Sequence, residues 1–169
     1  EAMELAIACA KQHGVCVMGL KNAHHIGRIG HWAEQAVAAG MVSIHFVNAM
    51  SKPVVAPYRG SEARYVTNPF TVGIPVPERE PLLLDFATSA IAMGKVRVAY
   101  NSGKKLPGDL MMDAHGAYTD DPAALFPPAD EPGGALVPFA QHKGYALAMV
   151  VEVLAAALTG GETTRPGNL

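Results

Sequence analysis

The chain has 169 residues, 13 Lys plus Arg against 15 Asp plus Glu, and half of its positions are hydrophobic. That length carries one ordinary domain with a core, and a hydrophobic half with only 17% charged residues excludes an intrinsically disordered chain. A formal net charge of -2 supplies neither the basic footprint of a nucleic-acid binder nor a polybasic surface for anionic lipid.

In chain order, residues 1–13 place Met3, Leu5, Ala6, Ile7 and Ala10 at three- and four-residue steps, with Gly14 where a helix would stop. Residues 15–20 (VCVMGL) read as a short buried strand, followed by a polar, Gly-bearing connection over 21–30. A second helix is expected over 31–39, ended by Gly40, and a strand over 41–48 (MVSIHFVN). The middle is punctuated by Pro53, Pro57, Pro69, Pro75, Pro77 and Pro81, which no long helix tolerates. Between them sit strand-sized runs, 70–76 and 82–86, after which Ser89 is placed to cap a helix running through Gly94 and Lys95 to Tyr100. Residues 101–134 are rich in loop signals, with a turn at Asp113-Ala114-His115-Gly116 and a break at Asp120-Asp121-Pro122. The last element is a helix over 143–158, read as buried and closed by Gly160-Gly161. There are no repeats and no linker, and strands without strict βαβ alternation favour an α+β fold.

Two cysteines, Cys9 and Cys16, are too few for a disulfide framework and point to a reducing, cytoplasmic setting. The opening residues have no signal-peptide pattern. The longest apolar stretch, 145–158, contains Glu152 and is shorter than the roughly 20 residues of a membrane span. The chain opens directly in helical sequence, which leads us to expect an internal piece of something longer.

Three segments carry candidate chemistry. His24-His25-x-Gly-Arg28-x-Gly30-His31 puts three imidazoles and a guanidinium on a Gly-rich loop ahead of a helix N-terminus. Glycines let backbone amides approach a ligand, the helix end favours an anion, and an imidazole moves protons near neutral pH. The same residues are equally compatible with a helix cap and surface histidines. A metal enzyme using His24, His25 and His31 ranks below both, because no carboxylate or Cys stands at usual ligand spacing.

The second segment, LLLDFATS over 82–89, ends an apolar strand in Asp85 and presents the hydroxyls of Thr88 and Ser89 at its carboxyl end. That is a common ligand position, and also a common way to cap a helix. The third is His142-Lys143-Gly144-Tyr145 ahead of the last helix. A cation at a helix start opposes the macrodipole and is better explained by an anionic ligand at the same place, with a solvated Lys as the plain alternative. No G-x-G-x-x-G follows a strand, Gly103-Lys104 lacks the earlier glycine of a P-loop (position 98 is Val), and there is no G-x-S-x-G elbow.

Taken in order, Asn22-Ala23-His24-His25-Ile26-Gly27, Thr67-Asn68-Pro69-Phe70, Leu84-Asp85-Phe86-Ala87-Thr88-Ser89 with Gly94-Lys95, and His142-Lys143-Gly144-Tyr145-Ala146-Leu147-Ala148 resemble the malate/L-lactate dehydrogenase family. These are NAD(P)-dependent 2-oxo-acid reductases without a Rossmann fold, and the resemblance runs over essentially the whole chain. It implies a mostly antiparallel sheet flanked by helices, with NAD or NADP lying against it. Arg28, Ile29 and Gly30, the stretch Asp85, Phe86, Ala87, Thr88 and Ser89, and the pair His142 and Lys143 would contact the cofactor. His25, in the matching stretch Asn22-Ala23-His24-His25, would be the proton relay or substrate contact, beside a small 2-oxo or 2-hydroxy carboxylic acid. A homodimer is implied, and no metal. Family members are considerably longer and carry an N-terminal Ser-His-Gly segment, so residues 1–169 are expected to be the central, cofactor-binding region of a longer dehydrogenase. Ala23 stands where the motif commonly has a polar residue, and the stretch 119–134 is compact. The rival reading is a nucleotide-binding or assembly fragment without turnover of its own.

Overall fold

The computed structural model describes residues 1–164. Helix α1 (Ala2–His13) is ended by Gly14, whose φ of 82° lets its amide turn back to the Ala10 carbonyl. None of its residues is buried. The expected strand over 15–20 does not form. Extended backbone needs a neighbouring strand to satisfy its amides and carbonyls, and no described residue pairs with this stretch, which leaves Val17 93% exposed.

Helix α2 (Gly30–Ala38) starts one residue earlier than its sequence pattern, and Gly40, at φ 75°, follows its end. Strands β1 (Ser43–Phe46), β2 (Phe70–Ile74) and β3 (Leu82–Phe86) form an antiparallel sheet in that order. Ser43, His45, Thr71, Gly73, Leu83 and Asp85 share one face by register. Helix α2 packs against that face. A Cβ on Gly73 would lie 2.9 Å from Val37 Cγ2 and 3.1 Å from Ala33 Cβ, so a glycine is what allows the close approach. On the opposite face Ile44, Leu82 and Leu84 are exposed, while the Phe46, Phe70, Phe86 and Phe139 rings stack in tilted and edge contacts of 5.0–5.8 Å.

Helix α3 (Met93–Asn101) begins well after Ser89. Ser89 is not its cap: the hydroxyl donates to the Ile91 carbonyl at 2.8 Å, holding the turn ahead of the helix. The loop-rich stretch that follows contains β4 (Met111–Met112), a 3-10 turn (Pro122–Leu125) and β5 (Ala135–Leu136), with β4 and β5 paired antiparallel. The turn at 113–116 forms as expected: Asp113 Oδ1 accepts the His115 and Ala117 amides, which holds its pKa below the usual carboxylate range. The break at 120–122 is a cap, because Asp121 accepts the Ala123 amide and Pro122 opens the turn.

This stretch also builds the core. Val55, Val96, Met111 and Leu136 are buried together, with Ile91, Leu106, Leu125 and Phe126 packed on them. The last helix, α4 (His142–Glu152), passes into a π-turn (Val153–Ala157). It is buried on one side only, through Ala148, Val151 and Glu152, whereas Met149, Val150 and Val153 are exposed. Among the described residues no helix is long and apolar enough to cross a membrane.

Candidate functional site

The three candidate segments are joined through β3 in two groups, one at Asp85 on the sheet face that α2 covers and one at Phe86 on the opposite face. In the first, the carboxylate of Asp85 on β3 accepts the Gly30 amide at 2.9 Å and the Thr71 hydroxyl at 2.7 Å, and lies 3.9 Å from Arg28 Nη1. Asp85 therefore occupies the positive end of α2, so the amide that the sequence offers to an anion is already satisfied from within the chain. Arg28 donates to Glu34 at 2.6 Å, and this bond is the main cause of its raised pKa. A Cβ on Gly30 would fall 2.3 Å from Arg28 Nη1 and 2.7 Å from Asp85 Oδ2, so a side chain there would displace the Arg28 guanidinium and disturb the Asp85 carboxylate. Ile29 is buried beneath this group.

In the second group, the chain leaving β3 crosses to the start of α4. Phe86 stacks edge-on with Phe139 at 5.0 Å. Ala87 leads into Thr88, whose amide and hydroxyl both donate to the Thr67 carbonyl, at 2.9 and 3.0 Å. The Thr88 carbonyl accepts the Phe139 amide at 3.0 Å, and Ser89 bridges to Pro138. Ala140 and Gln141 then adopt φ values of 45° and 57°, a conformation that costs non-glycine residues of order 1–3 kcal/mol each and gathers at functional sites. The payoff is geometric: α4 starts abruptly, with His142 and Lys143 exposed in its first turn. That turn has no acidic residue and Gln141 makes no side-chain cap. Two cationic-capable side chains beside the positive end of an 11-residue helix fit a phosphate group. The His142 ring also lies 5.8 Å from the Tyr58 ring.

His25 stands apart from both groups. It is exposed on the loop before α2, and its Nδ1 accepts the Gly27 amide at 3.1 Å. The loop is anchored by Trp32, whose indole N–H donates to the Ile26 carbonyl at 2.9 Å. With Nδ1 as acceptor, the neutral ring carries its proton on Nε2. His24 is exposed, and His31 pairs with Gln35 at 3.2 Å and lies 4.0 Å from Glu34. No three of the His, Cys, Asp or Glu side chains among the described residues converge as a metal site.

Two residues that the sequence reading left out belong to the same surface. Thr71 and His45 stand in register with Asp85 across β2 and β1. His45 is held below its ordinary pKa by burial, with Asp85 pulling the other way, and contacts Ser43 Oγ at 3.1 Å. Only alternation in the apolar strand MVSIHFVN pointed to it, and alternation does not name the neighbouring strand.

The chain is similar to known proteins over nearly its whole length. Hydroxycarboxylate dehydrogenase B of Escherichia coli is 52% identical over 169 residues, covering all of this chain and 46% of that protein. L-lactate dehydrogenase of Cupriavidus necator is 46% identical over 168 residues, 98% of this chain and 47% of that protein. The crystal structure of delta1-piperideine-2-carboxylate reductase from Pseudomonas syringae superposes with a TM-score of 0.87 at 38% identity, over 96% of this chain and 47% of that one. The chain thus spans about half the length of these relatives. Residues 1–168 match the malate/L-lactate dehydrogenase family, and the chain belongs to it.

Proposed function

We propose that this chain is the central, nucleotide-lining region of a dehydrogenase that works reversibly on a small 2-oxo or 2-hydroxy carboxylic acid with NAD or NADP. The reading is carried by one observation. A helix start bearing His142 and Lys143, free of acidic residues, is tied by hydrogen bonds to the Asp85-to-Ser89 segment in a chain of this family. A bound nicotinamide would supply the hydride, and the residues of this chain would hold and orient it. Lys143 and His142 hold the nucleotide's phosphates. Phe86 and Ala87 form the wall against which it lies, backed by the buried Thr88 and Ser89. Arg28, Ile29 and Gly30, with Asp85, fix the opposite rim. His25 presents Nε2–H to the substrate carbonyl oxygen and stabilises the negative charge that builds there as C2 is reduced. The protein would act as a homodimer in the cytoplasm.

The test is fluorescence titration of the chain with NADH and with NADPH. Saturable binding of either is expected, weakened about tenfold or more by Lys143→Ala, the scale of a lost hydrogen bond to a charged group. In a catalytically complete protein carrying this chain, His25→Ala should lower kcat about 100-fold with nucleotide affinity unchanged, as for loss of a transition-state hydrogen-bond donor. Absence of binding at millimolar nucleotide would reject the reading for residues 1–169. Binding without any turnover of 2-oxo acids would favour a nucleotide-binding fragment.

A further inference from the structure

Asn68 is fully buried, with φ 30°, between Thr67 and the proline that opens β2. Its amide nitrogen donates twice, to the Ala148 carbonyl at 3.2 Å and to Glu152 Oε2 at 2.8 Å, both on α4. Its carbonyl oxygen is buried and has no partner among the described residues. Asn68 is therefore used as a donor. Glu152, 8% exposed, also accepts the Thr164 amide and, at 3.2 Å, the Thr164 hydroxyl. Burying a carboxylate is costly unless its oxygens are satisfied, and an apolar side chain would pack here with less penalty. What the carboxylate adds is register: sliding α4 by one residue would break both Asn68 bonds together.

The bonds close a circuit. Glu152 at the far end of α4 holds Asn68, and the adjoining Thr67 carbonyl holds Thr88. The Thr88 carbonyl holds Phe139, and the Phe139 carbonyl accepts the Gly144 amide at 3.1 Å in the first turn of α4. At that point a Cβ on Gly144 would lie 2.1 Å from the Phe139 oxygen, so the joint admits no side chain. Building on the nucleotide reading above, we propose that Asn68 and Glu152 are positioning residues. By locking α4 against the Thr67 carbonyl, they set the spacing between the Phe86–Ala87 wall, which Thr88 and Ser89 back, and the His142–Lys143 turn.

The test compares the unmodified chain with Glu152→Ala, Glu152→Gln and a remote core control, Met111→Ala. The readouts are urea stability, NADH and NADPH affinity, and amide hydrogen exchange at Thr88, Phe139 and Gly144. Glu152→Ala should weaken nucleotide binding about tenfold and accelerate exchange at those three amides ahead of the rest of the chain. Glu152→Gln, which keeps an acceptor for Asn68, should recover most of both. Met111→Ala should lose stability with affinity unchanged. The proposal is overturned if Glu152→Ala alters affinity and local exchange no more than the control, or if Glu152→Gln is as impaired as Glu152→Ala. Should Glu152→Ala not fold, Glu152→Asp, one methylene short of Asn68, replaces it with the same expectations. If the unmodified chain binds neither nucleotide, the nucleotide reading fails by itself, and the exchange comparison still decides whether the circuit couples the two segments.

Discussion

At the scale of single residues, Asp85 and His45 show how one sheet face divides its labour. Asp85 binds Thr71 and the Gly30 amide, so it anchors α2 to β3 while lining the candidate site. His45, two strands away in register, is half-buried and held neutral more readily than a free imidazole. Because its folded pKa lies below its unfolded one, the unfolded chain binds the additional proton. Its contribution to stability is complete above the ordinary His range and is lost as the pH falls through the depressed folded value. Urea midpoints measured from pH 7 down to pH 5 should therefore fall, and the fall should shrink in His45→Gln. An equal slope in that variant would remove His45 from the pH dependence. Asp85 was visible in the sequence as a polar residue closing an apolar strand, whereas Thr71 and His45 became site neighbours only through strand register.

At the scale of elements, the decisive contact is α2 against β2. Gly73 lies beneath Ala33 and Val37 with no space for a methyl group. Gly73→Ala should cost about 1–3 kcal/mol, the usual cost of overpacking a filled contact, read as a lower urea midpoint with an unchanged slope. Helices α1 and α2 and strand β3 follow the sequence pattern to within a residue, because glycine stops and apolar periodicity are local signals. The expected strand at 15–20 fails for the complementary reason. Its six residues have strand composition, but a strand is a pairing, and no described residue supplies the partner edge. Strands β4 and β5 have two residues each, too few to show any period, yet they carry Met111 and Leu136, the largest side chains of the buried core.

At the scale of the whole molecule, the described residues leave apolar side chains uncovered along 15–20, on the sheet face bearing Ile44, Leu82 and Leu84, and on the outer side of α4, among other places. Large apolar side chains exposed in such number favour association. The chain by itself should associate in solution, as the expected homodimer also requires. Static light scattering that gives the mass of a 17.7 kDa monomer over a range of concentrations would contradict this.

What the sequence determined by itself is the set of local elements and the chemistry-bearing segments around Arg28, Asp85 and Lys143, because caps, periodicity and motif spelling act over a few residues. What only the tertiary structure decided is how those segments join. The Asp85 carboxylate on the Gly30 amide, and the circuit from Glu152 through Asn68 and Thr88 to Phe139, are built from bonds that span 21 to 84 residues. Such bonds depend on strand register and helix placement, which no local pattern encodes.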